Sequence, residues 1–170
     1  YSQERLALAF SVRVLDKNLF KIIVENTPLV SLDLCLIFDG KILLGQRNNE
    51  PLKGSWFTPG GRILKNESLH NCLCRVALTE LGLRIDDRLT FELMGAWDHF
   101  YPNSAVDKNI STHYVNLPYY TYFKTKPKIS VDDQHAVLEW FDLKQVIKSD
   151  QFHSYTVSYA RWLSKKGKYL

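Results

Sequence analysis

The stretch Gly60-Gly61-Arg62-Ile63-Leu64-Lys65-Asn66-Glu67, which runs on to Glu80-Leu81-Gly82-Leu83, decides how this chain folds. Its double glycine predicts a loop, and a helix of about four turns is predicted to follow. Asn66 can cap the start of that helix, and Glu67 suits the positive end of the helix dipole. Gly82 is placed to end the helix in a left-handed conformation. The stretch therefore predicts a glycine loop fixed to the start of a helix.

One face of this predicted helix is apolar, because hydrophobic residues recur along it at steps of three and four. These residues are Leu69, Cys72, Leu73, Val76 and Leu81. Such a face is expected to pack on a sheet or on another helix.

The spacing of Gly61, Glu67, Arg75, Glu80 and Gly82 resembles the Nudix box, a loop–helix–loop that carries a metal-bound diphosphate. The usual box has acidic residues at two further places, where this chain has Val76 and Thr79. Residues three or four apart are neighbours on a helix, so a full acidic set would bind more than one divalent ion. Glu80 alone still offers a carboxylate here. One Mg²⁺ is the natural reading, because one or two protein groups plus substrate phosphates commonly hold Mg²⁺. An ordinary amphipathic helix with an exposed glutamate is the alternative.

Length and composition point to one globular domain that acts on a small anion. The chain has 170 residues, of which 45% are hydrophobic and 24% are charged; these are ordinary globular values. A net charge of +4 suits an anionic small molecule but is too weak to indicate nucleic acid. Three cysteines in apolar contexts indicate buried, reduced thiols in a cytoplasmic protein. No apolar run reaches the ~20 residues that span a membrane.

The rest of the chain predicts an α/β (α+β) fold, with a mixed sheet between helices. Residues 1–18 are expected to form an N-terminal extension, and residues 19–170 a single domain. Strands are predicted at Leu29–Phe38, 41–46, 89–97, Thr112–Phe123 and 136–141, with a hairpin turn at Asp39-Gly40. Helices are predicted at 19–26, over the central stretch, at Leu143–Lys148 and at 155–164. Residues 124–133 are expected to form a surface connection or a lid.

Several polar residues stand out against this framework. Asp33 interrupts the first strand, so its carboxylate either needs a partner or faces solvent. Arg47 follows the second strand and is a candidate neighbour. His99 lies in an aromatic patch, and Gln134-His135 precedes the last strand; packing or surface roles are the alternatives for these residues.

Longer motifs resemble the GDP-mannose mannosyl hydrolases, an unusual Nudix branch that lacks the same acidic residues. The matching segments are Pro28-Leu29-Val30-Ser31-Leu32-Asp33, Gly45-Gln46-Arg47, Trp56-Phe57-x-Pro59-Gly60-Gly61-Arg62, Trp97-x-His99-Phe100-Tyr101, Thr112-His113-Tyr114 and Gln134-His135. The resemblance runs from about residue 19 to the last helix. It implies a Nudix-type α/β/α sandwich, a homodimer, and one Mg²⁺ per active site, for which Mn²⁺ can substitute.

The resemblance also implies site roles. Glu80, the Gly60 carbonyl and the Gln134 side chain would hold Mg²⁺, and His135 would be the general base. Arg47, Arg62 and Tyr114 would contact the diphosphate. Asp33, Arg75 and His99 would line the sugar side or orient other groups, with loop bracing as the alternative for Arg75. Phe20, Trp56 and Tyr101 could stack on a base but could equally belong to the core.

This branch cuts the sugar C–O bond, so the function that it implies is hydrolysis of GDP-mannose, or also GDP-glucose, to GDP and sugar with inversion. A conventional pyrophosphohydrolase that cuts a P–O bond is one alternative, disfavoured by Val76 and Thr79. A non-catalytic regulator that binds a nucleotide sugar is another, disfavoured by the Gln134-His135 pair.

Overall fold

A computed structural model describes residues 15–48, 50, 52–86, 89–129 and 135–166. The helices within these ranges are α1 (Lys17–Asn26), α2 (Leu69–Leu81), α3 (Leu143–Lys148) and α4 (Ser154–Lys166). The strands are β1 (Leu29–Phe38), β2 (Lys41–Arg47), β3 (Trp56–Phe57), β4 (Gly60–Arg62), β5 (Glu92–Leu93), β6 (Trp97–Tyr101), β7 (Thr112–Phe123) and β8 (His135–Asp142).

All eight of these strands join one mixed sheet, as the sequence predicts. The long strands β1 and β7 run parallel over their whole shared length, from Leu29 beside Tyr114 to Phe38 beside Phe123. The other pairings are antiparallel. The far edge of β1 is shared: β4 pairs with its first half and β2 with its last two residues. This sharing brings the glycine stretch directly beside Asp33.

Two apolar clusters sandwich the sheet, and strand alternation explains them. Leu32, Leu34 and Leu36 of β1 pack on the side of α2, together with Val76 and Leu81. The alternate residues Cys35 and Ile37 pack on the opposite side, where α3 and α4 supply Val146, Tyr159, Ala160 and Leu163. Asp33 shares the period of Cys35 and Ile37. It therefore faces α4, and this places a carboxylate beneath that helix.

The caps of α2 follow the sequence at one end but not at the other. Gly82 ends the helix at φ 61°, the left-handed conformation that was predicted. The prediction for Asn66 is wrong: the N-cap is Ser68, whose hydroxyl accepts from the Asn71 N–H at 3.2 Å. Asn66 instead takes φ 66° in the preceding turn, a conformation that asparagine tolerates better than most residues. Glu67 therefore lies before the start of the helix, where its carboxylate can bond to another residue.

Other boundaries also moved. Helix α1 begins at Lys17 behind an Asp16 cap, two residues earlier than predicted. The predicted strand at 89–97 is wrong in extent: pairing covers Glu92–Leu93, and a new strand starts at Trp97 after Gly95 takes φ 130°. The predicted loop at Gly60-Gly61 is a short strand. Residues 1–14 and 130–134 lie outside the described residues.

Two further predictions concern the burial of the cysteines and membrane-spanning segments. Cys35 and Cys72 are free and buried, as predicted, whereas Cys74 is only half-buried. Among the described residues, no helix has both the length and the apolar character that crossing a membrane requires.

Candidate active site

A cavity of about 620 Å³ opens where β4 lies against the first half of β1. Its walls come from the first halves of β1 and β7, the end of β2, β4 and part of the loop at 102–111. Pockets of roughly 300–1,000 Å³ take small molecules. Five of the residues singled out from the sequence line it: Asp33, Arg47, Gly60, Arg62 and Tyr114.

The two glycines of β4 are required by close approach. A Cβ at position 60 would collide with the Asp33 carboxylate and lie 2.7 Å from the Leu32 carbonyl oxygen. A Cβ at position 61 would lie 2.9 Å from Cγ2 of Val76 on α2. β4 is therefore held tightly between strand β1 and helix α2. Only residues without a side chain fit this place, and the backbone itself forms this wall of the cavity.

Arg75 braces the loop that joins β4 to α2. Its guanidinium bonds both carboxylate oxygens of Glu67, at 2.6 and 2.8 Å, and its Nη2 also donates to the Arg62 carbonyl at 2.9 Å. Glu67 in turn accepts from the Leu64 N–H at 2.9 Å. Burial raises the pKa of Glu67, but Arg75 and the Leu64 N–H outweigh it and hold the pKa below its usual value. Of the two roles left open for Arg75, this geometry matches bracing, and Arg75 is not among the residues that line the cavity.

The acid-poor face of α2 is built into the core. Val76 is 1% exposed and packs within the α2 cluster, whereas Thr79 is exposed. Glu80, one turn after Val76, is 4% exposed. The alternative, an ordinary amphipathic helix with an exposed glutamate, is therefore wrong for Glu80.

The donor set fits one hard cation but not a carboxylate cluster. Oxygen donors suit Mg²⁺, and Glu80 and the Gly60 carbonyl would be two of them. Gly60 lines the cavity, whereas Glu80 is a buried residue of α2 and is not among the lining residues. Over the described part of the chain, no three His, Cys, Asp or Glu side chains are grouped as a multi-ligand metal site. Gln134, the third expected ligand, lies outside the described residues.

Two arginines and a tyrosine that the sequence singled out line the cavity. Arg47 follows an irregularity in the β2–β8 pairing, the kind of bulge that re-aims a side chain. The guanidinium of Arg62 lies 4.1 Å from the ring centroid of Phe20 on α1. Burial raises the pKa of Tyr114, while Arg62 and Arg47 act to lower it. Tyr114 therefore stays a protonated donor beside two cations.

Asp33 is a buried carboxyl group at the bottom of the cavity, so the solvent-facing alternative is wrong. Its side chain is 5% exposed and accepts from the Tyr159 hydroxyl at 2.8 Å. Burial raises the pKa of Asp33 to about 6, against hydrogen bonds from Tyr159 and Asn116 and the charge of Arg47, which lower it. The partner expected in Arg47 is thus present, joined by two residues that were not anticipated.

His99 lies behind the cavity wall rather than on its surface. It is 1% exposed, stacks on Tyr155 with ring centroids 3.8 Å apart, and is within hydrogen-bond distance of Tyr101 and Tyr159. Burial and the charge of His153 lower the pKa of His99 to about 4. A buried ring with these contacts agrees with both roles expected for His99, packing and the orientation of other groups.

The expected general base sits at the edge of the described chain. The backbone of His135 pairs with Arg47, where β8 meets β2. This pairing brings residue 135 to the strand position that also delivers Arg47 to the cavity.

The three aromatic residues considered for base stacking lie in different parts of the structure. Phe20 lies against Arg62, Trp56 packs edge-on against Phe141, and Tyr101 lines the cavity.

Two residues of the site were missed by sequence reasoning. Tyr159 occupies an apolar position of α4, and helical periodicity makes it look like core. Asn116 interrupts the alternation of β7, and that polar break was the available signal. Tyr159 reaches Asp33 because α4 packs on the face of the sheet that Asp33 shares with Cys35 and Ile37, whereas Asn116 lies on the neighbouring strand β7, paired with Ser31.

Comparison with known proteins agrees with this architecture. The NUDIX domain model matches residues 30–163. The low-salt glycan biosynthesis protein Agl8 of Haloferax volcanii is 42% identical over 122 residues, which cover 71% of this chain and 74% of that protein.

Solved structures share the fold. A MutT NUDIX hydrolase from Burkholderia pseudomallei superposes with a TM-score of 0.67 at 24% identity, over 81% of this chain and 99% of the other. The NUDIX domain of Shewanella oneidensis NrtR, in complex with ADP ribose, gives 0.65 at 16% identity, over 98% and 99%. The family match, the relative and the glycine-loop geometry agree: this chain belongs to the Nudix hydrolase family.

Proposed function

We propose that this protein hydrolyses GDP-mannose, or alternatively GDP-glucose, to GDP and free sugar, by cutting the C–O bond at the anomeric carbon with inversion. The observation that carries the proposal is the distribution of charge around the cavity. Arg47 and Arg62 converge there with a buried Asp33, while Val76 fills the core where the Nudix box usually has an acid. The site keeps groups that stabilise a departing diphosphate, and its described residues include no carboxylate cluster for several ions at phosphorus.

The arginines and Tyr114 act on the leaving group. Substitution at C1 of a glycosyl diphosphate passes through an oxocarbenium-like state in which negative charge builds on the diphosphate. Arg47 and Arg62 line the same cavity as Tyr114, and fixed cations and donors lower the barrier most where charge develops. Phe20 covers one face of the Arg62 guanidinium, and the in-plane N–H groups of a guanidinium are the ones that match phosphate oxygens.

Glu80, the Gly60 carbonyl and the Gln134 side chain would hold one Mg²⁺ per site, with Mn²⁺ as a substitute. Bound there, the ion would supply positive charge to the diphosphate as it leaves. Because Gly60 also lines the cavity, these residues would place that charge beside the arginines.

His135 would activate the attacking water. A diphosphate leaves as a weakly basic anion, so the chain needs no strong general acid, but a base must take a proton on the opposite face of the sugar. An imidazole with a pKa near 6.5 suits that role at neutral pH. The backbone pairing of His135 with Arg47 supports a place for it at the cavity. Attack opposite the leaving group inverts the anomeric carbon.

Asp33 would meet the sugar, and Arg75 and His99 would act indirectly. Asp33 is the carboxyl group at the cavity bottom, where a sugar hydroxyl could donate to it. Arg75 would hold the Arg62 backbone in place through the contact at 2.9 Å. His99 would support Asp33 through Tyr159.

The substrate class draws on two relatives. The name of Agl8 places that protein in glycan biosynthesis, a process that uses activated sugars. The NrtR domain holds ADP ribose, in which a diphosphate joins a nucleoside to a sugar. The choice of GDP-mannose and the expected homodimer come from the motif resemblance, whereas the expected cytoplasmic setting comes from the cysteines.

Product analysis by ¹H NMR during turnover tests the proposal. Purified protein with Mg²⁺ and GDP-mannose should release GDP and mannose, and the sugar signal should appear first as the anomer opposite to that in the substrate. GDP-glucose, UDP-glucose and ADP-ribose serve as comparison substrates. Formation of GMP and mannose 1-phosphate would instead show P–O cleavage and overturn the proposal.

A further inference from the structure

A chain of hydrogen bonds runs behind the cavity, and both of its ends lie on the cavity. Its inner members, Tyr159 and His99, are 0% and 1% exposed. Its two ends, Tyr101 and Asp33, both line the cavity. The Tyr159 hydroxyl is the branch point, 2.8 Å from Asp33 Oδ2, 3.1 Å from His99 Nε2 and 3.4 Å from Asn116 Oδ1.

One proton on the Tyr159 hydroxyl determines the direction of these bonds. A hydroxyl donates once and accepts through its lone pairs. The Asp33 carboxylate is the nearer acceptor, so the hydroxyl donates there. The contact with His99 Nε2 must then be donated by the ring. Nδ1 of the neutral ring is left as an acceptor for the Tyr101 hydroxyl at 3.3 Å.

The Asn116 amide is held by Ser31, while the Tyr159 proton goes to Asp33 and not to Asn116 Oδ1. The amide Nδ2 donates to the Ser31 hydroxyl at 3.0 Å, so the amide Oδ1 faces Tyr159. Ser31 and Asn116 are 7% and 3% exposed, and both line the cavity. The Tyr101, His99 and Tyr159 hydrogen bonds therefore run in one direction towards Asp33, and a connected buried network holds its groups in one arrangement.

We infer that Tyr159 is a positioning residue for the sugar side of the site: its hydroxyl accepts from neutral His99 and donates to Asp33, fixing the orientation of that carboxylate. The inference rests on the proposed function, because it assigns Asp33 to the sugar. Removing the hydroxyl would leave Asp33 Oδ2 and the His99 Nε2–H without their shared partner. Either group must then turn to find another.

The first test is spectroscopic and needs no substrate. Long-range ¹H–¹⁵N NMR of the histidine rings reports which nitrogen carries the proton. His99 of the wild-type protein should be protonated on Nε2 and unprotonated on Nδ1, and Tyr159→Phe should change its nitrogen shifts. Tyr155→Phe is the matched control: Tyr155 is on the same helix, but its hydroxyl bonds the Phe100 backbone. A wild-type His99 protonated on Nδ1 would overturn the inference, even if Tyr159→Phe did not fold.

The second test is kinetic. Tyr159→Phe should lower kcat about 10- to 100-fold, as small misplacements of reacting groups do, with KM changed little. Tyr155→Phe should keep kcat near the wild-type value. An unchanged kcat in folded Tyr159→Phe would overturn the inference. If the wild-type protein hydrolyses no nucleotide sugar, the proposed function fails, and the tautomer measurement still decides whether the network exists.

Discussion

Replacing Arg75 by Met tests whether this arginine braces the loop that joins β4 to α2 or binds substrate. The Arg75 and Glu67 side chains are 13% and 9% exposed, and two hydrogen bonds join them. Removing one partner of a buried ion pair typically costs about 3–5 kcal/mol, because the other charge is left without compensation. The slight exposure of both side chains places the expected loss near the lower end, at about 3 kcal/mol. The Arg62 carbonyl would also lose its donor.

Urea unfolding without substrate measures this loss directly. For a chain of this size, about 3 kcal/mol corresponds to a fall in Tm of roughly 6–12 °C. Adding Glu67→Gln to Arg75→Met removes the stranded charge, so the double variant should recover about 1–3 kcal/mol relative to the sum of the single variants. Arg161→Met, at an exposed position of helix α4, should stay within about 0.5 kcal/mol of the wild type.

If Arg75 braces this loop, Arg75→Met should also change the enzymatic activity. Arg75→Met should lower kcat/KM through the displaced Arg62 backbone, even at temperatures where the variant is fully folded. A variant with wild-type stability and a raised KM would refute bracing, because it would place Arg75 on the substrate. Strict additivity of the two substitutions would contradict the ion pair itself.

Three further predictions follow from the same structure. Gly61→Ala should lower the free energy of unfolding by about 1–3 kcal/mol, because the new methyl group would meet Cγ2 of Val76. Val76→Ala removes Cγ2, so it should relieve part of that loss in a double-mutant cycle measured by urea unfolding. Simple additivity of the two substitutions would contradict the contact. Burial lowers the pKa of His99 to about 4, so its neutral form contributes stability that is fully present above pH 6.5. Relative to His99→Gln, the free energy of unfolding of the wild type should fall by up to ~3 kcal/mol as the pH falls from 6.5 to 4. A difference that does not depend on pH would contradict this. His135→Gln should lower kcat by about 10²–10⁴ with little change in binding, whereas His113→Gln, whose ring is outside the cavity and contacts Asp98, should keep its rate; an unchanged His135→Gln rate would remove His135 from its role.

Much of the fold could be predicted from the sequence because its signals are local. The long apolar run of β1, the alternation of β7, the Asp39-Gly40 turn between β1 and β2, and Gly82 at the end of α2 each depend on nearby residues. The start of α2 was misplaced because Asn66 and Ser68 are both good caps, and the residues near them do not favour one over the other.

The site was predictable where motif spacing specified it. Asp33, Arg47, Arg62 and Tyr114 meet at one cavity although they come from four strands. Tyr159 could not be found in this way. Its position in α4 has the periodicity of a core residue, and its role depends on how that helix crosses the sheet.

The most direct measurement of the central claim is hydrolysis of GDP-mannose in ¹⁸O-labelled water. If the cations of the cavity stabilise the departing GDP while water attacks the sugar carbon, the label should appear in mannose and not in GDP. Label in a phosphate product would mean attack at phosphorus and would contradict the account.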